Sequence, residues 1–328
     1  MDIRTVKEYL GSDWDAVQEC IASSLRSDIS LMNMTNSSIL SNSGKQLRPM
    51  LALLMARLCN CGKELPESTY RYAASAELLH NATLLHDDVA DDSDQRRGVP
   101  TLRSIMGPSV SVLVGDYWLV RAMELILGSS ETDVRVIRIF SKTLSDLAEG
   151  EMLQLQKAQS CDTDEDDYLR IIYNKTASLF EAACVSAAVS VNASEEYAAA
   201  AREYAVSLGL AFQIKDDILD YSGSESVGKP LGVDILEQKI TMPLLGVLAG
   251  MDEAEGEEIR TMVRNIAEQT ADRDRIMEIV KERGGVEYAG RRLDEYVDKA
   301  IKALDVFEDS QEKRILAELA YFTAIREN

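Results

Sequence analysis

Apolar residues recur in this chain with helical rather than strand spacing almost from end to end, and that restricts the fold more than any other feature. No stretch alternates apolar and polar residues over enough positions to suggest a sheet, and only 6 prolines interrupt 328 residues. Residues 49–56 and 70–80 are apolar around most of the helix circumference, as expected of helices buried inside a large bundle. From about Asp252 onward the segments become amphipathic and rich in Glu, Lys and Arg, the pattern of outer helices. Composition predicts breaks at residues 35–43, 61–66, 97–100, 107–108 and 222–232. None resembles an interdomain linker, and no repeat of solenoid period stands out. The expected architecture is one all-α domain over residues 1–328, a large helical bundle with one or two N-terminal helices packed outside it.

Charge narrows the partners. Lys and Arg number 35 against 56 Asp and Glu, a formal net charge of −21. Such a surface repels nucleic-acid phosphates and anionic lipid, so no nucleic-acid partner is expected. The first residues lack an apolar signal core, and the longest mainly apolar runs, such as residues 182–189, fall far short of the ~20 residues of a membrane span. No transmembrane segment is expected. Five scattered cysteines are too few for a disulfide framework in a chain this long, which points to a reducing, cytoplasmic location. Cys59 and Cys61 have no further Cys or His nearby in sequence and read as incidental thiols at a helix end.

Two acidic clusters close apolar helical runs. In the first, Asp87 and Asp91 share a helix face, as do Asp88 and Asp92. The second repeats the arrangement with Asp216, Asp217 and Asp220. Carboxylates led toward an interior by an apolar helix are costly unless a cation compensates them. Two such clusters facing one cavity would hold hard cations through oxygen ligands. With only two histidines in the chain, Mg²⁺ fits better than zinc. Mg²⁺ is commonly shared with substrate phosphates, so the inferred ligand is a diphosphate. A third acidic run, residues 162–167, imitates the opening of a calcium loop. It has Asp167 at the glycine position and Tyr173 at the terminal glutamate position, so a structural role ahead of a helix is expected.

Basic residues stand beside these clusters in an otherwise acidic chain. Lys45 and Arg48 fall where a helix begins, Arg96 and Arg97 follow the first cluster, Lys175 and Thr176 sit on a helix, and Lys229 and Lys239 flank Gly232-Val233-Asp234. Arg forks and Lys point charges are the natural partners of phosphate oxygens.

Taken together, Gly44-Lys45-x-x-Arg48-Pro49, His80, Asp87-Asp88-x-x-Asp91 with Arg96-Arg97, Gly115-Asp116, Gly150-Glu151-x-x-Gln154, Lys175-Thr176, Phe212-Gln213-x-x-Asp216-Asp217-x-x-Asp220 and Lys239 closely resemble the motifs of the trans-type isoprenyl (polyprenyl) diphosphate synthases, in order and approximate spacing. The resemblance spans about residues 44–243. It implies an isoprenoid-synthase-type helical bundle around a central cavity, and a reaction joining isopentenyl diphosphate to an allylic diphosphate. By the same resemblance, Asp87, Asp91 and Asp216 hold Mg²⁺ directly, and Asp88, Asp217 and Asp220 complete the shells, directly or through water. Arg96, Lys175, Gln213 and Lys239 grip the allylic diphosphate, with Thr176 near its tail. Lys45, Arg48, His80 and Arg97 bind isopentenyl diphosphate. His86 is left to packing beside the motif. Family analogy also implies a homodimer.

Product length is expected to follow cavity depth. The resemblance places Ala82 and Thr83, about one turn before Asp87, along the growing tail. Both are small where short-chain members often carry an aromatic floor, and the first motif lacks the two-residue insertion common in bacterial short-chain enzymes. Trp118 or Met123 could block the path lower down. The expected product is longer than geranylgeranyl diphosphate, with a farnesyl or geranylgeranyl synthase as the alternative. A terpene cyclase usually differs at the second metal motif and needs no isopentenyl diphosphate site, yet Lys45, Arg48 and His80 are present. A non-catalytic partner subunit could shed its aspartates, yet both sets are intact.

Overall fold

The computed structural model describes residues 2–42, 44–96, 98–128, 133–222 and 231–326, of which 79% are helical. Backbone contacts group the chain into two compact units. One comprises Met1–Ser141, Ala182–Arg202 and Val306–Leu316; the other comprises Lys142–Glu181, Glu203–Asp305 and Ala317–Asn328. Every passage between them falls inside a helical segment rather than in a linker.

The first unit holds α1 (Ile3–Leu10), α2 (Ser12–Ser24), α3 (Ser30–Ser41), α4 (Leu47–Cys59), α5 (Glu67–Ala90), α6 (Leu102–Met106), α7 (Pro108–Leu127) and the start of α8 (Val134–Ser160). Helix α5 packs on α2, α4 and, most extensively, α7. Small residues make this possible: Ala73, Ala74, Ala76 and Ala82 are fully buried among Leu78 and Leu79, so neighbours approach from all sides. Two buried serines tie α5 to α7, Ser75 donating to the Ala122 carbonyl at 3.0 Å and Ser111 to the Leu85 carbonyl at 2.9 Å. Helix α4 is likewise buried around most of its surface.

One local expectation is corrected, and one expected turn gains a short ladder. Residues 35–41 do not break the chain, because α3 runs through Ser41 and ends at its C-cap Asn42. Thr35, Ser37 and Ser41 return their hydroxyls to carbonyls of the preceding turn, and Asn36 donates to the Leu25 carbonyl, so these polar side chains are satisfied without unwinding the helix. The break at residues 97–100 belongs to a two-residue antiparallel ladder, β1 (Gln95–Arg96) with β2 (Val99–Pro100), in which Gly98 takes a φ of 76°. A ladder this short carries no alternation to read.

The second unit holds the rest of α8, α9 (Glu165–Ile172), a π-helical turn (Tyr173–Ala177), the start of α10 (Ser178–Ser190) and most of α11 (Glu195–Ser222). It continues with α12 (Val233–Leu236), α13 (Met242–Leu248), α14 (Glu253–Arg264), α15 (Asp272–Glu282), α16 (Gly285–Ala303) and the end of α17 (Gln311–Ile325). Helices α14 and α16 bury one apolar face each, as their sequence pattern predicts. The acidic run has the structural role expected of it: Asp164 accepts the Asp167 amide at 2.8 Å, forming a capping box at the start of α9, and Lys157 pairs with Asp167 at 2.6 Å.

Candidate active site

The first acidic cluster closes α5. Asp87 and Asp88 occupy its last turn and Asp91 is its C-cap, whose amide still makes the helical bond to the Asp87 carbonyl at 2.8 Å. Carboxylates here face the negative end of the helix dipole, which destabilises them unless positive charge is supplied. Asp88, buried, receives that charge from Arg96, whose Nε lies 2.8 Å from Oδ1. The hairpin delivers Arg96 to this point, and Arg103 ties down its approach by pairing with Asp92 and Asp94. Asp87 is half-buried and Asp91 exposed. Beside them, His86 Nε2 sits 3.2 Å from Asp116 Oδ1. Gly115 is required for that placement, since a Cβ there would fall 2.5 Å from the imidazole.

The second cluster lies in the last two turns of α11, against the same unfavourable end of a dipole. Asp217 is buried, and both its oxygens are engaged: Tyr168 donates to Oδ2 at 2.6 Å and the Gln213 amide to Oδ1 at 3.0 Å. Burial, then the charge of Asp234, push the Asp217 carboxyl well above the usual carboxylate range. Asp220 accepts the amides of Val233 and Asp234 at 3.1 and 3.2 Å, capping α12. Its carboxyl is also raised by burial, against the pull of those two amides. Asp216 is met by Arg326 at 2.7 Å.

Lys175 and Thr176 lie on the π-helical turn, a geometry frequent at functional sites. Lys175 Nζ is 2.6 Å from Glu151 Oε2, and Thr176 donates to Gln213 Oε1 at 3.0 Å. Two glycines let flanking helices approach this turn: a Cβ at Gly150 would fall 2.6 Å from Asn174 Cβ, and one at Gly209 2.6 Å from Ala177 Cα. Lys239 is part-buried, pairs with Glu237, and gives its backbone amide to the Asp234 carbonyl at 2.8 Å. In the first unit Lys45 is exposed, and Arg48 and His80 are part-buried. Arg97 and Lys229, both expected at the site, lie outside the described residues.

The residues expected to govern product length divide. Ala82 and Trp118 have no accessible surface, so no water-sized space adjoins them. The Trp118 indole donates to Asn36 at 2.8 Å and is packed as core. Thr83 and Met123 are partly accessible.

Sequence reasoning missed Arg326, Tyr168 and Asp234, and had Glu151 only as part of a motif. Arg326 and Tyr168 lie in stretches with no distinguishing pattern. Asp234 was read only as the residue between two lysines, yet its carboxyl is pushed up to about 7, chiefly by burial and then by Asp220. Among the described residues, no three His, Cys, Asp or Glu side chains are gathered to chelating distance as they stand. The donors in both clusters are nevertheless all carboxylate oxygens, the chemistry that hard divalent cations take.

The polyprenyl synthetase family model matches residues 30–282. The octaprenyl diphosphate synthase of Escherichia coli is 37% identical over 333 residues, covering 100% of both chains. A crystal structure of a decaprenyl diphosphate synthase from Rhodobacter capsulatus superposes with a TM-score of 0.92 at 36% identity, covering 100% of both chains. A polyprenyl synthase from Caulobacter crescentus, solved with calcium and isoprenyl diphosphate, gives 0.90 at 35% identity, covering 100% of this chain and 98% of that one.

Proposed function

Because the chain belongs to the polyprenyl synthetase family, we propose that it condenses isopentenyl diphosphate with an allylic diphosphate to give an all-trans polyprenyl diphosphate longer than C20. The observation that carries this reading is the repeated placement of carboxylates at the wrong end of a helix dipole, Asp87, Asp88 and Asp91 closing α5 and Asp216, Asp217 and Asp220 near the end of α11. Full-length similarity to octaprenyl and decaprenyl synthases supports the long product.

Asp87, Asp91 and Asp216 are the proposed Mg²⁺ ligands, with Asp88, Asp217 and Asp220 supporting them. Mg²⁺, when bound, stabilises the charge on the departing diphosphate and so eases ionisation of the allylic C–O bond. Lys175, Arg96, Gln213 and Lys239 grip that diphosphate, and Arg96 exchanges its bond to Asp88 for the phosphate. Thr176 stands near the allylic tail. Lys45, Arg48, His80 and Arg97 orient isopentenyl diphosphate so that its double bond faces the allylic carbon. Lys229 adds a further phosphate contact. No side chain need act as a nucleophile.

The chain works as a single domain, in the cytoplasm, and its five cysteines are all unpaired. No helix among the described residues is long and apolar enough to cross a membrane. A homodimer is proposed through α7, where exposed Leu113, Val120 and Leu127 recur every seventh residue and offer an apolar seam to a second copy.

The purified chain alone, given Mg²⁺, labelled isopentenyl diphosphate and farnesyl diphosphate, should release prenyl diphosphates longer than geranylgeranyl. Absence of condensation would favour a subunit that needs a partner. Loss of diphosphate from the allylic substrate alone would favour a cyclase.

A further inference from the structure

Three hydrogen bonds join separate segments of the second unit into one chain. Tyr168, on α9 and 3% exposed, donates its hydroxyl to Asp217 Oδ2 at 2.6 Å. The other Asp217 oxygen accepts the Gln213 amide at 3.0 Å. The Gln213 carbonyl in turn accepts the Thr176 hydroxyl, also at 3.0 Å. The series runs from α9 through α11 to the π-helical turn that carries Lys175.

Its direction is set by chemistry. Tyr168 and Gln213 each present a donor to one Asp217 oxygen, and the ionised carboxylate can only accept them. With Tyr168 on one side, Gln213 can satisfy the other only by presenting its amide nitrogen, which turns its carbonyl toward Thr176. Removing the Tyr168 hydroxyl leaves one buried oxygen short of a donor and lets Gln213 rotate or shift to compensate. Thr176 then loses its fixed acceptor, and the adjoining Lys175 loses its registry with Glu151, which holds it at 2.6 Å.

We propose that Tyr168 is a positioning residue for prenyl transfer, acting through Asp217 and Gln213 to hold the Lys175-Thr176 turn in the geometry that receives the allylic diphosphate. At 3% exposed, Tyr168 acts through Asp217 and is assigned no direct substrate contact. It belongs to the other side of the Asp217 carboxylate, which its phenol reaches from α9. This assignment rests on the proposed reaction.

The test is steady-state kinetics of Tyr168→Phe, Thr176→Val and the double variant, with farnesyl and isopentenyl diphosphate varied separately. Phe keeps the ring and removes only the hydroxyl. The expected result is a roughly tenfold rise in KM for farnesyl diphosphate, with KM for isopentenyl diphosphate within twofold of the parent. Because both substitutions act on one series, the double variant should match the worse single variant rather than multiply the two effects. Equal rises in both KM values, an unchanged farnesyl KM, multiplicative effects, or failure of Tyr168→Phe to fold would each overturn the assignment and make the phenol a packing element. A parent enzyme without turnover in the same assay would remove the reaction itself, and the role of Tyr168 with it.

Discussion

Arg326, near the end of α17, reaches Asp216 of the second acidic cluster, placing Nη2 2.7 Å from Oδ1. The same nitrogen donates to the Phe212 carbonyl at 2.9 Å, and the guanidinium lies 4.0 Å from the centre of the Phe212 ring. The Arg326 side chain is 7% exposed and that of Asp216 is 42% exposed. The pair is therefore half open to water, and its strength lies between a surface ion pair and a buried one. The carboxylate at the end of α11 is thus held by a residue 110 positions later in the chain.

Arg326→Met keeps the length of the side chain and removes the charge. The expected loss is about 1–2 kcal/mol, measured by urea unfolding in the absence of metal. Asp216→Asn and the double variant complete a cycle whose coupling energy should exceed about 0.5 kcal/mol. A cycle that closes near zero would show that Arg326 serves Phe212 alone.

Product length gives a test in which two adjacent residues behave differently. Ala82 adjoins no water-sized space, so a phenylalanine there must displace packed neighbours at a cost of about 1–3 kcal/mol. Thr83 is partly accessible, and its hydroxyl is already committed to the His80 carbonyl at 2.8 Å. Thr83→Phe should therefore shorten the product by at least one isoprene unit with little loss of stability. Ala82→Phe should first lower the melting temperature. Chromatography of dephosphorylated products, beside thermal unfolding of both variants, reads the difference; a reversed order would place Ala82 on the path of the tail.

The two aspartate trios were legible because their spacing is local: i, i+1 and i+4 on an apolar helix is visible in any window of that length. The partners that hold them were legible only in part. Arg96 lies eight residues from Asp88 and could be anticipated, whereas Tyr168 and Arg326 reach their aspartates across 49 and 110 residues. Neither position is marked by period or composition. The serines and asparagines of α3 were misread as a break because those residue types favour turns, and only the fold supplies the carbonyls that satisfy them inside a helix. The helical class itself followed from patterning, since helices buried on all sides cannot hide their composition.

Asp234 gives the metal-free protein a distinct pH dependence. Burial, then the charge of Asp220, raise its carboxyl to about 7 in the folded state, against about 3.9 when unfolded. Between those values the folded chain binds that proton more tightly, so the stability associated with it is complete at the acid end and is lost as pH rises toward 7. Asp234→Asn cannot titrate. Without metal, its melting temperature relative to the parent should therefore improve from pH 5 to about pH 7 and level off by pH 8. A constant difference across that range would mean that Asp234 does not change its charge there.

The π-helical turn is held by the close approach of α11. At Gly209 a Cβ would lie 2.6 Å from Ala177 Cα and 2.7 Å from its Cβ, so α11 and the turn cannot both keep their places. Backbone cannot yield as a flexible side chain does, and Gly209→Ala should cost about 1–3 kcal/mol. It should also weaken allylic substrate binding, because the displaced turn carries Lys175 and Thr176. Gly290, within α16, is the matched control: nothing lies within 4 Å of its missing Cβ. There alanine gains helix propensity without a clash, and Gly290→Ala should stabilise the protein by about 0.5–1 kcal/mol. Chemical denaturation of the two variants should move in opposite directions, and the kinetics of Gly290→Ala should match the parent. A Gly209→Ala protein as stable and active as the parent would show that the turn can withdraw from α11 without consequence for the site.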